Sequence, residues 1–173
     1  MEAIVNVTPD WGIGLENRLL VAIPEDLKRF RALTEGKTVI LGRKTLQTFP
    51  GGKPLKNRRN LVLSSDFSFC PEGAEVLHGE AELFALLRTL NSDELCVIGG
   101  ESVYRLLLPY CGRVRLTRTF CDLPADRFFP DLDRLPGWTQ TWASEVQASG
   151  GTEYQFVDYV NQSPLPLQAA GRQ

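Results

Sequence analysis

The chain has 173 residues, 43% of them hydrophobic, a size and composition typical of one globular domain with its own core. Its 19 basic and 21 acidic residues are well mixed and give a net charge of −2, so no nucleic-acid partner is expected. No apolar run approaches the roughly 20 residues of a membrane span, and the N-terminus lacks the basic and apolar regions of a secretory signal. With one histidine and four cysteines, none of them closely spaced, the sequence predicts a cytoplasmic protein without a metal site.

Short strand-like runs alternate with helical patterns along the chain. The predicted strands are AIVNVT, KTVILG, NLVLSS, EVLH, ELCVIGG and RVRLTRTF, and TQTWASEV and EYQFVDYV form a late hairpin around SGGT. Helices are predicted from Pro24 to about Leu33 and over EAELFALLRTL and ESVYRLLLPY. This order indicates an α/β fold whose mainly parallel sheet is flanked by helices, with an antiparallel strand at one edge. The domain is expected to span residues 1–160, followed by a loose tail over 161–173.

The first predicted helix carries a carboxylate on its apolar side. Pro24 suits the first helical position, and a turn of about 100° per residue places Asp26 between Phe30 and Leu33 on the apolar stripe. The charged residues predicted for the opposite, solvated face are Glu25, Lys28 and Arg29. The helix dipole often explains an acid in the first turn, but Glu25 already supplies one there. Asp26 is therefore a candidate pocket residue, suited to a ligand that presents two N–H donors in a plane.

Three predicted strands are followed by residues that suit a phosphate group. TVIL precedes Gly42-Arg43-Lys44-Thr45, NLVL precedes Ser64-Ser65, and LCVI precedes Gly99-Gly100. In open α/β sheets ligands bind beyond the carboxyl ends of strands, where glycines allow close approach and helix N-termini and cations attract anions. A GG pair alone usually marks a tight turn, but the three features together predict a phosphate-bearing nucleotide cofactor. The Rossmann fingerprint is absent, because no G-x-G-x-x-G follows the first strand.

Seven motifs in order resemble those of dihydrofolate reductase. They are IGLENRLL, IPEDLKRF, TVILGRKTLQTFPG, KPLKNRRNLVLSS, LCVIGGESVY, RLTRTF and DRFFPD, and the resemblance runs from Ile4 to about Tyr159. It implies NADPH-dependent reduction of 7,8-dihydrofolate to 5,6,7,8-tetrahydrofolate, in support of one-carbon metabolism. It also implies that family's α/β fold: a central, mainly parallel eight-stranded sheet with an antiparallel C-terminal edge strand, flanked by helices. A monomer that binds dihydrofolate and antifolate inhibitors is expected.

The resemblance implies a role for each matching residue. Asp26 matches the acid that binds the pterin N3 and 2-amino group and promotes protonation at N5, while hydride passes from C4 of NADPH to C6. Thr117 matches the threonine that hydrogen-bonds this acid, and Arg58 matches the arginine that binds the glutamate α-carboxylate, a task suited to a bidentate guanidinium. The implied substrate-binding residues are Val5, Leu27, Phe30, Phe49, Leu55, Arg58, Ile98 and Tyr104. The implied cofactor-binding residues, whose Gly99–Gly100 bond is implied to be cis, are Asn6, Ile13, Gly14, Asn17, Leu19, Gly42, Arg43, Lys44, Thr45, Leu63, Ser64, Ser65, Gly99, Gly100, Glu101, Ser102, Val103 and Tyr104.

The chain departs from the family pattern at a few of these positions. Leu20-Val21 stands where the family usually has Pro-Trp, and Val21 has no side-chain N–H with which to reach an ordered water near the carboxylate. Asn6 replaces a common alanine beside the nicotinamide carboxamide, Ser102 replaces a frequent arginine near the phosphates, and FPGG carries an extra residue. Altered rates, affinities and inhibitor profile are expected, with the reaction unchanged.

Three other interpretations compete with this one. A pyrimidine reductase of riboflavin synthesis shares the fold, but it should lack an acid at Asp26 and should need a ribityl-phosphate site. A non-catalytic nucleotide-binding protein would bind NADPH without turnover, and the lack of a side-chain N–H at Val21 is the reason to consider it. A purely structural domain gives no reason for an inward acid and a basic phosphate corner.

Overall fold

The computed structural model describes residues 1–167. Its helices are α1 (Pro24–Thr34), α2 (Arg43–Gln47), α3 (Glu80–Leu87) and α4 (Glu101–Leu107). Its strands are β1 (Glu2–Val7), β2 (Gly12–Leu15), β3 (Arg18–Leu19), β4 (Thr38–Gly42), β5 (Arg59–Leu63), β6 (Glu75–Leu77), β7 (Leu95–Gly99), β8 (Arg113–Phe120), β9 (Arg127–Phe128), β10 (Trp138–Ala143), β11 (Gln147–Ser149) and β12 (Thr152–Asn161). Short 3₁₀ turns cover Pro50–Gly52, Ser92–Glu94 and Leu108–Tyr110.

The main sheet has the strand order β10-β12-β8-β1-β7-β4-β5-β6, with β11 paired to β12 outside this path. The six strands from β8 to β6 run parallel, and β12 is antiparallel to both β8 and β10. The predicted mainly parallel sheet with an antiparallel edge is confirmed, and β10 rather than β12 is the outermost strand. Gly150 and Gly151 connect β11 to β12 with φ of 56° and 83°, the conformation that a tight hairpin turn requires.

The central strands are buried on both faces, which is why they read as continuous apolar runs rather than alternating patterns. One core cluster joins Ile40 and Val97 with side chains of α3 and α4. A second cluster joins Leu41 and Ile98 with side chains of α1 and α2. Successive strand residues thus point to opposite faces, and each face is covered by two helices.

A smaller sheet of order β3-β2-β9 lies beside the main one. The sequence did not predict its strands or β11, which have two to four residues each. None of the helices in residues 1–167 is long and apolar enough to cross a membrane.

The described part of the predicted tail is hydrogen-bonded to the body of the protein. Leu165 N donates to Pro109 O at 2.9 Å, and Arg88 Nε donates to Leu167 O at 3.1 Å. Leu167 also packs against the larger core cluster. Residues 168–173 of that tail lie outside the described residues, and the predicted boundary at residue 160 stays a prediction.

Candidate active site

A cleft of about 670 Å³ opens at the carboxyl ends of the parallel strands. Because β7, β4 and β5 are neighbours in the sheet, the residues that follow them meet at one edge of this cleft. The three strand ends that the sequence singled out therefore lie together, as the rule for open α/β sheets requires. Of residues 1–167, no group of three or more metal-ligating side chains comes together.

Helix α1 places Asp26 at the wall of the cleft. The helix begins at Pro24, as predicted, so Asp26 is its third residue and projects half-buried towards the sheet. The prediction that Arg29 faces solvent is wrong. Its side chain is only 18% exposed and donates to Asp158 Oδ1 at 3.1 Å and to Leu116 O at 3.3 Å. The reason is that the flank of α1 lies over β8 and β12, and this burial lowers the pKa of Arg29, an effect that Asp158 partly opposes.

Two polar side chains of β1 and β8 bind the Asp26 carboxylate, and a third supports one of them. Thr117 Oγ1 donates to Asp26 Oδ1 at 2.5 Å, and Asn6 Nδ2 donates to Oδ2 at 3.1 Å. Thr119 Oγ1 in turn donates to Asn6 Oδ1 at 2.7 Å. Asn6 and Thr117 are direct neighbours in the β1–β8 register, so the sheet itself fixes this arrangement. Both carboxylate oxygens are thus oriented before any ligand binds.

Apolar side chains surround this carboxylate on the remaining sides. Phe30, Phe49 and Ile98 pack against or within the smaller core cluster and line the cleft. Leu27 lies at the mouth of the cleft and is 54% exposed. Tyr104 is buried and donates its hydroxyl to Ile4 O at 2.6 Å. Burial raises the pKa of Tyr104 above its usual value, so the phenol stays neutral. The walls suit a flat aromatic ligand.

The other half of the cleft combines glycine backbone, which has no side chains, with positively charged residues. The Gly99–Gly100 bond is cis, as the resemblance implied, and a Cβ on Gly100 would lie 3.2 Å from Thr45 Oγ1. Arg43 is held by Asp66 at 2.9 Å, while Lys44 is exposed at the same corner. The hydroxyls of Ser64 and Ser65 and these cations are the donors that a phosphate prefers, and the glycines leave room for it. The residues present therefore fit a phosphate-bearing dinucleotide such as NADPH.

A loop between β1 and α1 covers one side of the cleft. Glu16 N donates to Asp126 Oδ2 at 3.1 Å, and Asp126 N donates to Gly14 O at 2.9 Å. At the base of this loop, a Cβ on Gly12 would lie 2.7 Å from both Ala125 Cβ and Thr8 Oγ1. The loop is therefore packed tightly against the segment that carries β9.

The comparison with known families decides the identity. A family model described as dihydrofolate reductase matches residues 1–161. The chain belongs to the dihydrofolate reductase family. It is 44% identical over 151 residues to a dihydrofolate reductase of Mycobacterium leprae, which covers 85% of this chain and 89% of that one. It is 37% identical over 149 residues to one of Neisseria meningitidis serogroup A, which covers 86% and 90%.

A solved dihydrofolate reductase shares the fold. The structure from Enterococcus faecalis, complexed with NADP(H) and RAB-propyl, has a TM-score of 0.82 and 28% identity. The match covers 94% of this chain and 96% of that one. The predicted family, enzyme class and fold are confirmed.

Most residues that the resemblance assigned to the dihydrofolate reductase site line the cleft. These are Asp26, the substrate-side residues Val5, Leu27, Phe30, Phe49, Ile98 and Tyr104, and all of the cofactor-side residues from Asn6 to Val103 named above. Three assigned residues do not line it. Thr117 is buried behind Asp26, and Leu55 packs against the smaller core cluster. Arg58 lines a second cleft of about 380 Å³ with Lys37 and Arg59, and donates to Thr34 Oγ1 at 3.1 Å.

Some lining residues were not predicted as site residues. They are Ile4, Thr8, Gly12, Arg18, Leu20, Val21, Thr48 and Arg127. Thr8 could have been found, because it follows β1 directly and ligands of open α/β sheets bind beyond the carboxyl ends of strands. Arg127 carries no such signal, since the pairing of β9 with β2 brings it to the cleft from more than a hundred residues away.

Proposed function

We propose that the protein reduces 7,8-dihydrofolate to 5,6,7,8-tetrahydrofolate with NADPH in this cleft, and that Asp26 is its catalytic acid. The observation that carries the proposal is an inward carboxylate, held by Thr117 and Asn6 and surrounded by apolar walls. Adjacent strand ends offer glycine backbone, cations and hydroxyls in the same cleft. A pterin needs the first feature and a phosphate-bearing nicotinamide cofactor needs the second.

Asp26 binds and orients the pterin. A carboxylate has two acceptor oxygens, each with two lone-pair positions, so Oδ1 and Oδ2 can accept the pterin N3–H and 2-amino N–H beside their contacts to Thr117 and Asn6. The apolar walls formed by Phe30 and Ile98 exclude water and strengthen these bonds. A pterin held in this way has a fixed ring plane, and Asp26 promotes its protonation at N5.

The remaining residues hold the cofactor and the substrate tail. When bound, NADPH supplies the hydride that reaches C6 of the pterin. Arg43, Lys44 and Ser65 are proposed to bind its 2′-phosphate and neighbouring phosphates, which favours NADPH over NADH. Arg58 is proposed to bind the glutamate α-carboxylate, because its contacts to Lys56 O at 2.8 Å and to Thr34 fix the guanidinium plane and use only two of five N–H groups.

The decisive experiment follows the loss of NADPH absorbance with dihydrofolate. The variant Asp26→Asn keeps the shape of the side chain, and we expect turnover at neutral pH to fall by about 10²–10⁴-fold, the range of general acid catalysis. Part of that loss should be recovered with a dihydropterin that is already protonated. Asp93→Asn is the matched control, because Asp93 is exposed at the opposite end of the sheet.

A non-catalytic nucleotide-binding protein is the second candidate. Val21 lines the cleft without a side-chain donor, which is the observation that favours it. Binding of NADPH by the wild-type protein without any turnover would establish this candidate and refute the reductase.

We infer in addition that the protein works as a cytoplasmic monomer that binds small-molecule antifolates and neither nucleic acid nor membranes. The mixed charges and the net charge of −2 support the part of this inference that concerns nucleic acid. Light scattering of the purified protein with and without NADPH would detect a dimer, which would contradict the inference.

A further inference from the structure

The amide of Asn6 is engaged at both ends. Its Nδ2 donates to Asp26 Oδ2 at 3.1 Å, and its Oδ1 accepts from Thr119 Oγ1 at 2.7 Å. The resemblance had assigned this residue to the cofactor. The structure turns the side chain to the proposed catalytic carboxylate on α1, and Thr119 of the neighbouring strand β8 donates to the other end of the amide.

We propose that Asn6 is a positioning residue for Asp26, which fixes the carboxylate plane and sets the pH at which the carboxylate takes up a proton. This role rests on the proposed function, in which Asp26 is the acid of the reaction. Nothing in the family resemblance supplies it, because the common alanine at this position has no hydrogen-bonding side chain.

The direction of the hydrogen bonds explains how Asn6 acts. Thr119 is fully buried, so its hydroxyl proton has to find a partner, and the Asn6 carbonyl accepts it. This leaves the Asn6 N–H₂ group facing Asp26, an orientation that only an unprotonated oxygen can accept.

Proton uptake at Asp26 Oδ2 requires the amide to turn over. The Asp26 O–H would then donate to the Asn6 carbonyl, and the Asn6 N–H would donate to Thr119 Oγ1. In that orientation the buried Thr119 hydroxyl proton loses the carbonyl that accepts it in the ionised state, so the protonated state satisfies fewer polar groups. The carboxylate form keeps a charge-assisted hydrogen bond that the protonated form lacks, so Asn6 favours the ionised acid.

The other titratable groups near Asp26 keep their charge state around neutral pH. Arg29, one turn later on α1, is paired with Asp158. Tyr104 of α4 and Tyr154 of β12 are buried, burial raises the pKa of both phenols, and both therefore stay neutral. Glu25, the neighbouring carboxyl, is exposed to solvent. Changes in the titration of Asp26 on substitution of Asn6 can therefore be traced to the amide.

Two variants separate the amide from its support. Asn6→Leu keeps the branched shape of the side chain and removes both hydrogen bonds, while Thr119→Val removes only the hydroxyl that orients the amide. Thr38→Val is the matched control, because Thr38 is a buried strand threonine at the amino end of β4, away from the cleft. The first readout is carbon-13 carboxyl NMR of the ligand-free protein, with the Asp26 signal assigned through Asp26→Asn. The second is the pH profile of hydride transfer in a single turnover.

We expect Asn6→Leu to move both midpoints upward by about one to two pH units, the equivalent of one charge-assisted hydrogen bond. Thr119→Val should move them in the same direction by less, and Thr38→Val should leave them unchanged. If Asn6→Leu does not fold, the shift in Thr119→Val decides.

Two results would overturn the proposal. One is an unchanged NMR midpoint in folded Asn6→Leu, which would make Asn6 a structural residue. The other is weaker NADPH binding with unchanged midpoints in the NMR titration and the pH profile, which would show that Asn6 binds the cofactor. A wild-type protein without turnover would refute the reductase alone, because the NMR titration of the ligand-free protein still decides the role of Asn6.

Discussion

The substitution Asp158→Asn tests how α1 is held in place. Asp158 on β12 accepts from Arg29 Nη2 at 3.1 Å and from Arg115 Nη1 at 2.6 Å, and the three side chains are only 14–23% exposed. Arg29 also lies over the Phe156 ring, 4.4 Å from its centroid. The substituted side chain would keep the shape and one acceptor oxygen, but it would leave Arg29 without its counter-charge and Arg115 with only Glu2, whose Oε2 lies 3.2 Å from Arg115 Nε.

The expected loss in the free energy of unfolding depends on how deeply the ion pair is buried and not on the distance between its atoms. Removing one partner of a buried ion pair costs about 3–5 kcal/mol, and the residual exposure of this group reduces the expected loss to about 2–4 kcal/mol. The comparison is Glu75→Gln. Arg59 contacts Glu75 through two bonds of 2.6 and 3.0 Å, but these side chains are 41% and 50% exposed. We expect a loss below about 1 kcal/mol there, despite the ideal geometry.

Urea denaturation at pH 7, repeated at low and high salt, measures both variants. The loss in Asp158→Asn should persist at about 1 M salt, whereas the small effect of Glu75→Gln should vanish, because only exposed charges are screened. Equal losses in the two variants would refute the reasoning, since they would show that burial does not decide the strength of these ion pairs.

Three further predictions concern other parts of the molecule. Burial raises the pKa of Cys96 to about 11 and of Cys111 to about 12, from a usual value of 9.0. Below pH 9 both thiols are protonated in the folded and in the unfolded protein. Above pH 9 the unfolded protein loses its thiol protons first, so the free energy of unfolding falls as pH rises towards the folded-state pKa values of about 11 and about 12. The free energy of unfolding in urea should therefore fall off above about pH 9 by up to about 1.4 kcal/mol per pH unit for each thiol, and less steeply in Cys96→Ala. Replacing Arg58 by alanine should raise KM for dihydrofolate by about 100-fold in steady-state assays, and should leave KM for NADPH and for a dihydropterin without the glutamate unchanged. Because a Cβ on Gly12 would lie 2.7 Å from two other side chains, Gly12→Ala should lower the free energy of unfolding by about 1–3 kcal/mol. Gly112→Ala, with nothing within 4 Å of its Cβ, should change it by no more than about 0.5 kcal/mol.

The sequence predicted the sheet and the strand ends because both depend on local patterns. Continuous apolar runs mark strands that are buried on both faces, and Gly42, Ser64 and Gly99 follow such runs directly. The 3.6-residue period of α1 likewise placed Asp26 on the correct side of the helix. In each case the relevant neighbours lie within a few positions along the chain.

The errors and omissions share a different cause. Arg29 reads as a solvated residue because its partner Asp158 is 129 residues away, on a strand whose position the sequence does not give. The positioning role proposed for Asn6 could not be read from the sequence, because its contact to Thr119 spans 113 residues. Arg127 reaches the cleft only through the short β9. Polar side chains satisfied by distant strands cannot be distinguished from exposed ones by local pattern.

The face of the sheet beneath α1 explains why the fold and the proposed site depend on each other. On β1 and β8 the polar residues that point to this face divide between two tasks: Glu2 and Arg115 join the ion network of Arg29, while Asn6 and Thr117 bind Asp26. The two strands are paired over six residues, from Glu2 with Arg113 to Val7 with Arg118. A slip of one residue would turn every β8 side chain to the other face, so that Asp26 would lose its threonine and Asp158 its Arg115 at the same time. Because the large ion network opposes such a slip, the residues that anchor α1 also keep the proposed catalytic carboxylate in register with its donors.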